Sequence, residues 1–201
     1  MQLVLATNNN DKIREIKHLL DDLPVTILTR SDFLEFPDIE ETGTTLEENA
    51  LLKASGIAEF CDLPALADDS GLEVDALDGA PGVYSSRFAG EDVTYEDNNR
   101  KLIKDLEGIP DDKRSARFRC VIAIDWNDGT TETVAGSAEG VITTDIAEGH
   151  GFGYDPVFYH TDSGKRFSEM TLDEKNVVSH RGKALARARD AIIERLNRAV
   201  E

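Results

Sequence analysis

Two adjacent carboxylates, a hydroxyl and a glycine stand together in Ala67-Asp68-Asp69-Ser70-Gly71, between an apolar run at 63–67 and a second at 72–74. Buried side by side at a strand end, Asp68 and Asp69 would repel each other and need a cation or hydrogen-bond donors. Carboxylate oxygens suit Mg²⁺, which takes one or two protein carboxylates and completes its shell with water and substrate phosphates. The same residue types are good turn formers, so by itself the stretch reads equally well as a polar turn. The rest of the chain decides between the two.

Further segments carry matching chemistry. Thr7-Asn8-Asn9-Asn10-Asp11-Lys12 lies between a strand pattern and a helix pattern. Backbone N–H groups and the dipole at a helix start attract anions, and Lys12 adds a point charge that suits a phosphate. There is no GxxxxGK[ST], so this is not a P-loop. Glu40 and Glu41 precede the second helix and offer a carboxylate to share a metal with Asp69, while Lys53 on that helix could face the same phosphates. Phe152-Gly153-Tyr154-Asp155-Pro156 follows Gly151, so glycines flank aromatic rings in a loop; a ring offers a nucleobase a stacking face. Ser179-His180-Arg181-Gly182-Lys183 opens the last helix, with Lys175 shortly before it. His180, Arg181 and Lys175 are donors for a base carbonyl or a phosphate. Basic residues at a helix start oppose the dipole, which weakens the plain reading of a solvated helix cap. Capped helices, an acidic surface loop and an aromatic hairpin are the structural explanations of these segments taken singly.

The formal charge is −18, from 40 acidic against 22 basic residues, which argues against broad binding to nucleic acid or to anionic membrane. No run reaches the roughly 20 apolar residues of a membrane span. The first residues lack the basic leader and apolar core of a signal peptide. Cys61 and Cys120 have no CxxC spacing and sit among apolar neighbours, so a cytoplasmic location with reduced thiols is expected.

The elements that must position these residues follow from periodicity. A strand is expected at 2–6, then a helix carried by Ile13, Ile16, Leu19, Leu20 and Leu23 and ended by Pro24, then a strand at 25–28. A helix at 44–61 has a capping box in Thr44 with Glu47 or in Thr45 with Glu48. Strands at 63–67 and 117–126, a turn at 78–82 and a helix at 93–106 follow. The hairpin signal Asn127-Asp128-Gly129 leads to returning strands at 131–135 and 140–144. A glycine-rich loop at 149–156, a strand at 157–159, a polar connection to 170–175 and a helix at 179–200 complete the chain. Helices alternating with strands, then antiparallel strands, predict an α/β fold with a mixed central sheet flanked by helices, in one domain of 201 residues.

Taken together, these segments resemble the inosine triphosphate pyrophosphatase family, also called dITP/XTP pyrophosphatases. The resemblance runs almost end to end, through Thr7-Asn8 with Lys12, Glu41-Thr42-Gly43 with Glu48-Asn49-Ala50, Ala67 to Leu72, Gly79-Ala80-Pro81-Gly82-Val83-Tyr84-Ser85-Ser86-Arg87, the Phe152 loop and Ser179-His180-Arg181-Gly182. It implies a two-lobed fold with the nucleotide in a cleft between lobes. It also implies Mg²⁺-dependent hydrolysis of ITP, dITP and XTP to monophosphate and pyrophosphate, and a homodimer. By the same resemblance Asp69 is the general base and a metal ligand, with Glu40 or Glu41, and Asp68, as the other acidic ligands. Ser70 contacts substrate, residues 7–12 (Thr7, Asn8, Asn9, Asn10, Asp11 and Lys12) hold the triphosphate, and Lys53 and Arg87 are further candidates. Phe152, Gly153, Tyr154, Asp155, Lys175, His180 and Arg181 surround the base, and Arg181→Ala is expected to lose preference for ITP over ATP. Asn8 stands where the family's first motif has glycine, a residue type that tolerates positive φ better than most. Two other readings compete. A Maf-type nucleotide pyrophosphatase is opposed by the Phe152 and His180-Arg181 motifs. A nucleotide sensor without turnover is opposed by Asp68, Asp69 and Glu41.

Overall fold

The structure, a computed structural model, describes residues 1–198. The first strand, β1 (Gln2–Leu5), carries Leu3, Val4 and Leu5, all fully buried, as expected of a strand covered on both faces. The helix α1 (Asn10–Leu20) follows. The Asn9 side chain caps it, accepting from the backbone N–H of Asp11 at 2.9 Å and of Lys12 at 3.3 Å. Next come β2 (Thr26–Leu28) and α2 (Leu46–Cys61). Of the two capping boxes legible before α2, the one formed is Thr45 with Glu48: the Thr45 hydroxyl accepts from Glu48 N–H at 3.1 Å, and the Glu48 carboxylate accepts from the N–H of Thr44 and Thr45.

The Asp68-Asp69 stretch is not a turn after a strand. It lies inside β3 (Ala65–Val74), ten residues long, where a strand at 63–67 was expected. Pairing explains the correction. Ala65 and Leu66 run parallel to β1, while Leu72 and Glu73 pair antiparallel with β4 (Pro81–Gly82), so the ladder on both flanks overrides local turn preference. The chain continues through α3 (Tyr95–Asp105), β5 (Ser115–Asp125) and β6 (Thr131–Ile142), the last a single strand where two were expected. Then follow β7 (Phe158–His160), β8 (Lys165–Arg166) and α4 (Leu172–Val178), a short helix that begins within 170–175, the segment to which no element was assigned. α5 (His180–Arg198) is the last; the predicted end at residue 200 falls outside the described residues.

The strands form one mixed sheet in the order β2-β1-β3-β5-β6-β7-β8, with β4 on β3. Two compact units share the chain. The first holds residues 1–69, 120–136 and the segment from 181 on. Its core packs Leu3, Leu5, Ile16, Leu20, Leu66, Ile122 and Ile124 with Leu185 and Ile192 of α5. The second unit holds residues 70–119 and 137–180, and its core is richer in rings: Phe118, Phe158 and Phe167 with Leu72, Leu102, Leu106 and Met170. Cys120 is buried and Cys61 half-buried, neither in a disulfide. Among the described residues no helix is long and apolar enough to cross a membrane.

Candidate active site

In the first unit, strand and helix ends bring seven charged side chains together, Asp68, Asp69, Glu15 and Glu41 with Lys12, Lys53 and Arg181. Asp68 Oδ2 lies 3.0 Å from Lys12 Nζ of α1 and 3.3 Å from Arg181 Nε of α5. Arg181 also donates to the buried Glu15 carboxylate through Nη1. Burial alone would push the Asp68 pKa up, but Lys12, then Arg181 and Lys53, outweigh it and hold this carboxyl far below the usual range. Arg181 is itself buried, yet Asp68 and Glu15 keep it firmly protonated.

Asp69, its neighbour, is pushed the opposite way. Burial raises its pKa, Lys53 opposes that, and the nearby Glu41 adds to the rise. Asn49 Nδ2 donates to Asp69 Oδ2 at 3.2 Å, while Asn49 Oδ1 accepts from Gly43 N–H at 2.8 Å, so one side chain fixes both the carboxylate and the acidic loop. Lys53 Nζ sits 2.6 Å from Glu41 Oε1 and 3.5 Å from Asp69 Oδ1, and it donates to the Asp68 carbonyl at 2.8 Å. Burial would lower its pKa, but Asp69, Asp68 and Glu41 raise it. Two carboxylates in a rising and falling pair of pKa values is the arrangement expected where one carboxylate is structural and the other chemical.

Of the two glutamates before α2, Glu41 reaches this cluster, while Glu40 is exposed. The loop carrying Glu41 is held by Asp38, which accepts from Asn8 at 2.9 Å and Arg30 at 2.8 Å, and by Ile39, packed on Gly56 of α2. Thr7 Oγ1 accepts from Asn9 N–H at 3.2 Å, Asn10 is exposed, and Asp11 pairs with Arg14 at 3.0 Å.

Among the described residues no group of three or more histidine, cysteine, aspartate or glutamate side chains is arranged to hold a metal. Asp69 and Glu41, bridged by one ammonium group, do form a two-carboxylate donor set. That set fits a hard cation that completes its shell with water and phosphate oxygens.

The second unit gathers the aromatic loop. Asp155 Oδ2 accepts from Lys175 Nζ at 2.7 Å and from Phe152 N–H at 2.9 Å. The Lys175 ammonium also lies 4.9 Å from the centre of the Phe152 ring. Gly151 adopts φ 92°, and a side chain there would strike the Asp155 carboxylate, so only glycine permits this closure. Tyr154 is buried and donates to the Ser85 carbonyl at 2.9 Å. His180 stacks face to face on Phe118 at 4.6 Å, and Phe118 stacks in turn on Phe167. Ser70 is half-buried in β3, and Arg87 lies over the Tyr84 ring and 3.9 Å from Glu91.

The chain neighbours His180 and Arg181 thus serve different groups: one ring in an aromatic stack, one guanidinium among carboxylates. Two contributors were not singled out from the sequence. Asn49 lies four residues before Lys53, on the same helix face, a spacing that could have found it. Glu15 follows Lys12 by three residues on the inner face of α1.

A mixed α/β sheet bearing this carboxylate–cation cluster defines a family, and comparison with known proteins gives its identity. The chain belongs to the Ham1 family, whose sequence model matches residues 3–191. It is 52% identical to the dITP/XTP pyrophosphatase of Geobacter sulfurreducens over 94% of this chain and 95% of that one. It is 47% identical to the dITP/XTP pyrophosphatase of Escherichia coli K12, covering 95% and 98%. A solved HAM1 protein from Coxiella burnetii superposes with a TM-score of 0.89 at 43% identity, covering 96% of this chain and 99% of that one.

Proposed function

We propose that this protein hydrolyses non-standard purine nucleoside triphosphates, ITP, dITP and XTP, to the monophosphate and pyrophosphate, using Mg²⁺. The observation that carries the reading is the opposed pair in β3: Asp68 locked between Lys12 and Arg181, and Asp69 beside Lys53 and Glu41 with a raised pKa. The names of the Geobacter sulfurreducens and Escherichia coli relatives support the substrate class.

Asp69 and Glu41 would hold Mg²⁺, which when bound neutralises phosphate oxygens and polarises phosphorus. Asp69 takes the proton of the attacking water, a role open to a carboxylate held in place by Asn49 and Lys53. The water oxygen bonds to the α-phosphorus as the bond to the bridging oxygen breaks, and pyrophosphate leaves with that electron pair. Lys12 and Lys53 meet the phosphate oxygens, and Asp68 keeps Lys12 in place. The Phe152 ring stacks on the base, while the loop N–H groups, Lys175 and His180 favour a 6-oxo acceptor over the 6-amino donor of adenine. The resemblance also implies a cytoplasmic homodimer.

The test is pyrophosphate release from ITP, XTP, GTP and ATP, each with Mg²⁺ and with EDTA. Fast release from ITP and XTP only, abolished by EDTA, is expected. No release from any purine triphosphate would overturn the reading.

A further inference from the structure

Helix α3 carries two consecutive asparagines that the reaction outlined above does not use. Asn98 and Asn99 are both buried, in the first turns of the helix. Asn98 is fully engaged: its Oδ1 accepts from Ala89 N–H at 2.7 Å and its Nδ2 donates to the Ser86 carbonyl at 3.0 Å, so it holds the 85–89 segment that bears Arg87. Asn99 makes a single bond, from Nδ2 to the Gly153 carbonyl at 2.9 Å. Its Oδ1 is buried with no hydrogen-bond partner. The two gripped segments are joined to each other by Tyr154, whose hydroxyl donates to the Ser85 carbonyl at 2.9 Å. Tyr95, one helical turn before Asn99, lies against the Phe152 ring with centroids 6.0 Å apart.

An unpaired buried acceptor lowers stability, and an apolar side chain would fill the same space without that cost. The polar residue at 99 is therefore explained by the one bond it makes. Gly153 sits at φ 63°, and a glycine has many other conformations open to it, so a bond to its carbonyl narrows where the loop can lie. Inside the loop, Asp155 ties back to Phe152 N–H; from outside, the Asn99 amide takes the Gly153 carbonyl between them.

We propose that Asn99 is a positioning residue for base recognition: by holding the Gly153 carbonyl it sets the height and tilt at which the Phe152 ring and the loop N–H groups are presented. Asn98 does the same for the segment bearing Arg87. The inference rests on the functional reading above, in which this loop receives the base.

The experiment compares wild type, Asn99→Ala and Asn99→Asp on ITP, on ATP and on ribose 5′-triphosphate, which has no base, with thermal melting alongside. Asn99→Asp keeps the shape and replaces the donor with an oxygen that repels the carbonyl; it is read if the alanine variant does not fold. The expected result is a roughly tenfold fall in kcat/KM for ITP, carried mainly by KM, a smaller ITP-to-ATP ratio, and an unchanged rate on the base-free triphosphate. An equal fall on all three substrates, or an unchanged ITP-to-ATP ratio, would overturn the proposal. Wild type inactive on ITP would overturn the functional reading instead.

Discussion

The two clusters solve opposite problems with opposite materials. In the first unit, Asp68, Asp69, Glu15 and Glu41 meet Lys12, Lys53 and Arg181, so position is held by full charges taken out of water. In the second, rings and backbone carbonyls dominate, and a buried ion pair, Lys175 with Asp155, ties a loop. Charge suits a triphosphate, which is recognised by its oxygens whatever it is attached to. Shape and directional donors suit a base, where the choice is between a carbonyl and an amine. Mutations in the first group should therefore change rate or folding for every substrate, and mutations in the second should change which substrate is preferred.

The largest effect is expected from Asp69→Asn, which keeps the shape and removes the proton acceptor. Turnover of ITP should fall by about 10²–10⁴-fold while nucleotide still binds, measured by pyrophosphate release and by calorimetry. Loss of binding together with turnover would mean that the carboxylate chiefly holds the Mg²⁺ through which the triphosphate binds.

Next comes Arg181→Ala. It leaves Asp68 and Glu15 buried with one cation fewer, and breaking a buried pair costs about 3–5 kcal/mol, read by denaturant unfolding. The acid limb should shift as well. Asp68 titrates below its unfolded value, so its contribution is full above the ordinary carboxylate pKa of about 3.9 and is lost as pH falls through the lower, folded value. Without Arg181 that folded value rises, and the pH-dependent share of stability shrinks. If instead the variant folds with wild-type stability and loses only its preference for ITP over ATP, Arg181 belongs with the base-reading group.

Phe152→Ala should be the mildest. Removing one stacking face costs about 1–3 kcal/mol in the binding of ITP, seen in KM with kcat little changed. An equal loss on ribose 5′-triphosphate would blur the division between the groups.

Much of this was legible beforehand. Helices α2 and α5, the Thr45–Glu48 cap and the Asn127-Asp128-Gly129 hairpin follow from periodicity and turn chemistry. The extent of β3 did not, because Asp-Asp-Ser-Gly is locally a turn, and only pairing with β1 and β4 and cations from distant helices make it a strand. Two strands were expected, at 131–135 and 140–144, where β6 is continuous. In the fold, Gly140 is the place where the Phe158 ring and the Tyr159 carbonyl of β7 approach too closely for a side chain. α4 was missed although Thr171 and Glu174 form a capping box that the sequence displays. At the site, the residue types were readable but their partners were not. Which cation meets Asp68 depends on residues 12 and 181 arriving from the two ends of the chain.

Gly56 gives the acidic loop a mechanical tolerance. A methyl group there would lie 2.7 Å from the Ile39 side chain, two residues from Glu41. The notch in α2 acts as a seat, Ile39 as the peg, and Asp38 as the strap that Asn8 and Arg30 pull tight. The reach of Glu41 toward Asp69 is thus gauged by a residue that touches neither, one turn beyond Lys53 on α2, and a single carbon added there would be felt as a misplaced charge at the site.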